Sequence, residues 1–224
     1  MNSVYSKDIA PTATILDYAV VYRDAVIQDH VVIGEHNVIA KLPTPTASMC
    51  KVIDIDSRQT VIGANSKLCS NVTVYSNVCI GENCLLGDNV SIFTDVRIGN
   101  NVIISRNVTV NSETVIGNSS RIMDGSHITG RANIGNNVFI SAGVFMANDN
   151  FFGKFGYTDK CKGATIKDNV SIGVGVMLLP KVTIGANSII AAGSVVNTDI
   201  PENVLAAGNP ARVITKLPNG WCKK

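Results

Sequence analysis

The chain has 224 residues, a formal net charge of +2, 46% hydrophobic residues and only 5% aromatic residues. This length suits one domain with a substantial core, and a core with so few rings has to be filled by aliphatic side chains. The near-neutral charge gives no electrostatic basis for binding nucleic acid.

We expect no membrane association, because no run of about 18 apolar residues is present and the first residues lack the charged and apolar regions of a signal peptide. The six cysteines follow neither a metal-binding nor a disulfide-scaffold spacing. They are therefore predicted to be reduced thiols in a cytoplasmic protein.

In chain order, an aliphatic residue recurs at every sixth position in three series. The first series is Ile9, Ile15, Val21, Ile27 and Ile33. The second is Ile62, Leu68, Val74, Ile80, Leu86, Ile92, Ile98, Ile104, Val110, Ile116, Ile122, Ile128, Ile134, Ile140 and Met146. The third is Ile166, Ile172, Leu178, Ile184, Ile190 and Val196. Such a fixed period indicates a repeat architecture.

Two further positions of each hexad indicate how it folds. Three residues after the aliphatic stand residues that tolerate left-handed backbone: Asn65, Asn71, Asn77, Asn83, Asn89, Asp95, Asn101 and Asn107. One residue later stand small or β-branched residues suited to point inward: Ser66, Val72, Val78, Cys84, Val90, Val96, Val102 and Val108. Each hexad is predicted to be a short strand plus a corner, and three hexads one coil. The fold class is therefore all-β, a parallel β-helix of about eight to nine coils.

The repeat fails in two places. Residues 40–61 lose the period and contain two prolines, and the spacing from Met146 to Ile166 is not a multiple of six. We therefore predict one β-helix domain over residues 1–200, with an irregular excursion at 40–61 and a protruding loop at 147–165. Residues 201–224 are expected to form a C-terminal cap. Long loops in compact domains often carry function.

Outward side chains that lie three hexads apart should stack on one face. One face would carry Lys67, Leu85, Ile103, Arg121 and Phe139. The next would carry Thr73, Ser91, Thr109, His127 and Phe145. The apolar stripe on the first face is interpreted as a subunit contact, although the chain's own loops could also cover it.

His127 is the candidate catalytic base, because it lies one coil below the protruding loop and an imidazole accepts protons near pH 7. Asp124 is the candidate that orients its ring. A surface histidine without a role is the equally weighted alternative. His30 and His36 are expected to be structural or solvated, and Cys84 is disfavoured as a nucleophile because it occupies an inward position of its hexad.

The C-terminal stretch IGVGVMLLPKVTIGANSIIAAGSVVNTDIPENVLAAGNPARVI resembles the acyl-CoA-binding end of the hexapeptide-repeat acyltransferases. The resemblance covers nearly the whole chain. It implies a left-handed coil, a homotrimer with active sites between subunits, and acetyl-CoA as co-substrate without a metal. The stretch KLCSNVTVYSNVCIGENCLLGDNVSI and the loop FMANDNFFGK resemble members that acetylate sugars, often nucleotide-linked amino sugars.

The resemblance also implies site residues. The coenzyme arm would lie along Gly173, Val174, Gly175, Ala191 and Ala192, with Asn197, Thr198 and Arg212 near its adenosine end. Arginine suits a phosphate by charge and geometry, whereas Thr198 stands where relatives often have a lysine. Asn148 and Asp149 match the Asn-Asp pair of sugar acetyltransferases and are the candidate substrate-binding residues together with Asn150. The residues after this pair depart from the usual pattern.

The leading functional expectation is acetyl transfer to the amino group of a nucleotide-linked amino sugar, with acetylation of a sugar or antibiotic hydroxyl as the alternative. A zinc-dependent carbonic anhydrase needs three converging histidines, and His30 and His36 are predicted to lie many coils from His127. A non-enzymatic scaffold is the third alternative.

Overall fold

The computed structural model describes residues 1–48, 58–158, 160–218 and 221, and the regular structure of this part consists of β-strands. Most strands contain two residues, because each hexad leaves room for one inward and one outward residue before the next corner. The strands form three sheets, here called A, B and C. Within the described ranges, the chain forms no helix of the length and apolarity that a membrane crossing requires.

The chain visits the sheets in the fixed order A, B, C. Sheet A contains β1 (Ser3–Val4), β4 (Val20–Val21), β7 (Val38–Lys41), β10 (Thr73–Tyr75), β13 (Ser91–Ile92), β16 (Thr109–Val110), β19 (His127–Ile128), β22 (Phe145–Met146), β25 (Met177–Leu178) and β28 (Val195–Val196). Sheet B contains β2 (Asp8–Ile9), β5 (Ala25–Ile27), β8 (Thr60–Ile62), β11 (Cys79–Ile80), β14 (Arg97–Ile98), β17 (Val115–Ile116), β20 (Asn133–Ile134), β23 (Thr165–Ile166) and β26 (Thr183–Ile184). Sheet C contains β3 (Thr14–Ile15), β6 (Val32–Ile33), β9 (Lys67–Leu68), β12 (Leu85–Leu86), β15 (Ile103–Ile104), β18 (Arg121–Ile122), β21 (Phe139–Ile140), β24 (Ser171–Ile172), β27 (Ile189–Ile190), β29 (Val204–Gly208) and β30 (Ala211–Lys216).

Each strand pairs in parallel with the corresponding strand of the next coil along the chain, here called the coil above, and this pairing confirms the predicted β-helix. The left-handed form is the one that the resemblance implies. The predicted number of coils was too low. Four further hexads join the helix: Val4, Ile39, Ile200 and Ala206. The completed count gives ten coils, and β30 adds an antiparallel strand to sheet C. At about 4.8 Å per strand spacing the stack is about 43 Å tall.

The corners confirm the predicted left-handed turn position. The Asn and Asp residues of this position have φ values between 55° and 63°: Asn65, Asn71, Asn77, Asn83, Asn89, Asp95, Asn101 and Asn107. At the corners between sheets B and C, neighbouring coils are also joined through side chains. Asn118 Oδ1 accepts the Asn100 N–H at 2.7 Å, and Asn136 Oδ1 accepts the Asn118 N–H at 2.9 Å. Such bonds connect backbone groups that the short strands leave unpaired.

The core is a column of aliphatic side chains along the axis of the helix. All residues of the second and third sequence series are at most 5% exposed, as are the small residues one position before each outward residue, such as Val72 and Val90. Burial of each large aliphatic side chain stabilises the fold by roughly 1.5–3 kcal/mol. The inward and outward assignments made from the sequence are therefore confirmed.

Both interruptions leave the helix at the same edge. β7 ends at Lys41 and β8 begins at Thr60, while β22 ends at Met146 and β23 begins at Thr165. Each connection runs from sheet A to sheet B, an edge called here the A–B corner. Residues 49–57 of the predicted excursion lie outside the described residues. The division of the chain at residue 200 stays a prediction.

Candidate functional site

A column of four glycines marks the edge where sheet C connects to sheet A, called here the C–A corner. Gly125, Gly143, Gly175 and Gly193 occupy the left-handed turn position of four successive coils, with φ between 62° and 68°. Lower coils have side chains at this position, as in Asn71, Asn89 and Asn107, with nearly the same φ. The backbone therefore does not require glycine in the upper coils.

The glycine column instead leaves the corner free of side chains. A Cβ atom built on any of the four glycines would meet no atom within 4 Å. Gly173 differs, because a Cβ there would lie 2.5 Å from the backbone nitrogen of Ala192. Its lack of a side chain thus serves the close stacking of two coils, whereas Gly175 opens surface to solvent.

The strands that follow the four glycines carry the candidate base. Along sheet A, the outward residues after the glycine column are His127, Phe145, Met177 and Val195, which are in register with one another. Phe145 and Met177 are 51% and 52% exposed, an apolar surface directly above His127. The open corner and the imidazole therefore lie beside each other on one face.

The structure gives His127 a partner other than the expected one. Its Nδ1 lies 2.7 Å from Oγ1 of Thr109, the residue directly below it in sheet A. Burial lowers the pKa of His127 from its ordinary value of 6.5. A half-buried, neutral imidazole is the protonation state that can accept a proton at neutral pH.

Asp124 is engaged elsewhere. Its carboxylate accepts hydrogen bonds from the Ser105 hydroxyl and, at 2.7 Å, from Nη2 of Arg106. These bonds lower its pKa to about 2. The expectation that Asp124 orients the imidazole is corrected: Thr109 contacts the ring, because Asp124 lies in the corner and bonds the coil below.

The protruding loop is anchored to the helix by Arg131. Nη1 of this arginine donates to the backbone carbonyls of Thr158 at 2.9 Å and Cys161 at 3.2 Å, and Nε donates to Glu113 at 2.8 Å. The guanidinium also lies 4.9 Å from the ring centroid of Tyr157. These contacts hold the returning end of the loop against the A–B corner.

The three candidate substrate-binding residues have different surroundings. Asn148 faces a pocket of about 170 Å³, which it lines together with Phe93, Asn111, Ser112, Gly130 and Tyr157. Asp149 accepts the N–H groups of Phe151 at 2.7 Å and Gly153 at 2.6 Å, so its carboxylate shapes the loop. Asn150 is exposed. A substrate-binding role stays a prediction for all three, and the geometry favours Asn148.

The candidate coenzyme residues occupy both edges of the upper sheet A. Val174 and Ala192 lie at the C–A corner, whereas Asn197 and Thr198 follow β28 at the A–B corner. The cap brings Arg212 to this second edge, where Nη1 lies 3.5 Å from Oδ1 of Asn197. The structure thus brings Arg212 next to Asn197, and their part in coenzyme binding stays a prediction.

Two other sequence-based assignments can now be located. The apolar stripe lies on sheet C, where Leu85 and Phe139 are 39% and 37% exposed. His30 and His36 occupy left-handed corner positions near the N-terminal end, and His36 stacks on Tyr18. Across residues 1–48, 58–158, 160–218 and 221, no three or more His, Cys, Asp or Glu side chains form a group that could hold a metal ion.

Sequence reasoning missed four features of the site, of which two have a signal in the sequence. The repeat places Thr109 on the correct face but assigns it no role, although its position one full coil before His127 is a sufficient signal. The glycine column also has a signal, since Gly125 and Gly143 are three hexads apart, as are Gly175 and Gly193. The pocket under the loop and the arginine that anchors the loop have no signal in the sequence, because the inserted residues do not follow the six-residue repeat.

The fold and its repeats define a class of transferases built from hexapeptide coils. The family described as bacterial transferase hexapeptide (six repeats) matches residues 59–94, 113–148 and 163–198, and hexapeptide repeat of succinyl-transferase matches 77–112. Together these segments cover more than half of the chain. The protein therefore belongs to the hexapeptide-repeat transferase family, whose fold is the left-handed parallel β-helix.

Individual relatives match a shorter part. A putative acetyltransferase of Saccharomyces cerevisiae is 68% identical over 53 residues, 24% of this chain and 27% of the relative. The galactoside O-acetyltransferase of Escherichia coli is 58% identical over 53 residues, 24% of this chain and 26% of that enzyme. The matched segment thus spans about a quarter of these relatives. Among solved structures, LpxA from Acinetobacter baumannii is similar with a TM-score of 0.59 and 20% identity, over 94% of this chain and 74% of LpxA; this likeness concerns the fold.

Proposed function

We propose that the protein transfers an acetyl group from acetyl-CoA to the amino group of a nucleotide-linked amino sugar. The observation that carries this proposal is the shared location of the glycine column, the apolar surface of Phe145 and Met177, and His127. A slender thioester arm can approach a corner only where side chains are missing. Membership of the transferase family and the acetyltransferase relatives support the same chemistry.

In this reaction the amine nitrogen attacks the thioester carbonyl, the new C–N bond forms and the C–S bond breaks. His127 accepts the amine proton at Nε2, which requires that Nδ1–H donates to Thr109. The proton then passes to the leaving thiolate of CoA. Backbone N–H groups would stabilise the oxyanion that forms during attack. Asn148 would bind the sugar in the pocket under the loop, and Arg212 with Asn197 would bind the phosphate end of the coenzyme.

We further propose that the active form is a homotrimer, held by the stripe of Leu85, Ile103 and Phe139. Exposed apolar patches of this kind mark contact surfaces in soluble proteins.

Acetylation of a sugar hydroxyl is the second candidate, and the galactoside O-acetyltransferase relatives favour it. The two activities differ in how much they need a base. A hydroxyl has to lose its proton during attack, whereas an unprotonated amine is already nucleophilic. His127→Ala should therefore reduce O-acetylation by about 10²–10⁴-fold and N-acetylation far less.

The deciding experiment incubates the full chain with acetyl-CoA and paired acceptors, a nucleotide-linked amino sugar and its hydroxyl counterpart. Mass spectrometry detects the acetylated product, and hydroxylamine treatment distinguishes an ester, which is cleaved, from an amide, which persists. An amide product supports the proposal, and an ester product supports the second candidate. If neither acceptor is acetylated and calorimetry detects no CoA binding, the transferase proposal is wrong.

A further inference from the structure

Half-exposed aromatic side chains lie on the A–B corner below the loop, outside every residue considered so far for catalysis. Tyr75 ends strand β10 and Phe93 directly follows strand β13 in the next coil, and their rings meet edge to face with centroids 4.7 Å apart. Neither ring belongs to the axial core. In a chain with 5% aromatic residues, two rings at one outer corner are a notable concentration.

This aromatic pair is continuous with the pocket under the loop. Phe93 lines the pocket of about 170 Å³ together with Asn148 and Tyr157 of the loop. On the other side of the pair, Nζ of Lys41 lies 5.3 Å from the ring centroid of Tyr75. One surface therefore runs from a cation, over two rings, into the pocket.

The spacing along the helix gives this surface a length scale. Phe93 follows β13, which lies two strands below β19 with His127, and Tyr75 belongs to β10, three strands below. At about 4.8 Å per strand these separations are about 10 and 14 Å. They are comparable to the distance between a reactive group on the sugar of an extended nucleotide sugar and its base.

We infer that Tyr75 and Phe93 form the platform for the base of the acceptor nucleotide, with its sugar in the pocket below the loop. This inference rests on the proposed function, because it takes the site of acetyl transfer to be at His127. An aromatic ring offers a face on which any base can stack. Lys41, at the far end, supplies a positive charge beside the same surface.

Nucleotide binding can be measured without catalysis. UDP, dTDP and GDP are titrated separately into the full chain by calorimetry, and at least one is expected to bind. Phe93→Leu should weaken this binding by about 5- to 150-fold, the range that one base–aromatic stack represents. Phe93→Tyr keeps a ring at this position and should retain most of the affinity.

A matched control is available on the same corner. Tyr22 is an exposed aromatic residue after β4, five sheet A strands below β19, about 24 Å from His127 and beyond the reach of the base. Tyr22→Leu should leave nucleotide affinity unchanged. Thermal unfolding of each variant shows whether it folds. A folded Phe93→Leu or Tyr75→Leu protein that binds the nucleotide like the parent protein would overturn the inference.

The outcome can be separated from that of the proposed function. If a nucleotide-linked amino sugar is acetylated and its KM is unchanged in both leucine variants, the inference fails and the proposed function stands. If UDP, dTDP or GDP binds in a Phe93-dependent manner while no acceptor is acetylated, the platform stands and the proposed function fails. If none of the three binds, the inference is wrong.

Discussion

Replacing Gly193 by asparagine should add a side chain to the C–A corner while the backbone keeps its left-handed conformation. Gly193 has φ 68°, and Asn89 occupies the same corner position of a lower coil with φ 60°. Asparagine tolerates this left-handed conformation better than other side chains, and glycine has the larger entropic cost of folding, about 0.5–1 kcal/mol. The free energy of unfolding of Gly193→Asn should therefore stay within about 1 kcal/mol of the parent value.

Coenzyme binding should respond differently. No atom lies within 4 Å of a Cβ on Gly193, so the new side chain extends into the space proposed for the thioester arm. We expect at least a tenfold loss of CoA affinity, about 1.4 kcal/mol, measured by calorimetry. Asn89→Gly, the reciprocal change, should leave CoA binding unchanged. The reasoning is refuted if Gly193→Asn folds and binds CoA with parent affinity.

Four further outcomes are expected. Ile116→Ala should lower the free energy of unfolding in urea by about 2–5 kcal/mol, whereas Val115→Ala, on the 46% exposed outer side of the same strand, should cost far less; equal losses would contradict the assignment of faces. Because burial lowers the pKa of His127, the part of the acidic decline in kcat/KM that is due to His127 should lie below the ordinary pKa of an imidazole, and protonation of an acceptor amine adds a separate decline. If a His127→Gln protein showed the same pH profile, His127 would be excluded as the base. Arg131→Met removes the two bonds to loop carbonyls and should speed proteolysis within residues 147–165 with little change in core stability; unaltered cleavage would show that the loop has other anchors. Phe139→Asp should convert a trimer to monomers in light scattering, and a variant that remains trimeric would move the contact elsewhere.

Much of the fold could be predicted because the repeat gives every residue in it the same environment. Asn89, for example, has a left-handed backbone, and it is followed by the inward residue Val90 and then by a strand. The corresponding residues of the other hexads have the same arrangement. The count of coils was too low for two reasons: Val4 lies five rather than six residues before Ile9, and Ile39, although six residues after Ile33, stands beside the first interruption. Both residues still pair with the neighbouring coil, because their strands exchange backbone hydrogen bonds with it.

The insertions could not be predicted in the same way. Within an unbroken series, partners are three hexads apart, as in Thr109 and His127. Across the loop, Asn133 pairs with Thr165 at a separation that is not a multiple of the hexad. The bonds of Arg131 to the returning chain depend on side-chain reach rather than on period. No spacing in the sequence indicates which carbonyl an arginine will meet.

By itself, the sequence determined the β-helix, its inward and outward faces, the two interruptions and His127 as the candidate base. Tertiary structure alone decided that both interruptions leave at the A–B corner, that Asp124 bonds Arg106, and that Phe93 meets the loop across a pocket. The physical reason is that every hexad of the repeat packs in the same way, so one hexad predicts the next. The site instead forms where the repeat is interrupted, and its contacts join side chains that are distant in the sequence.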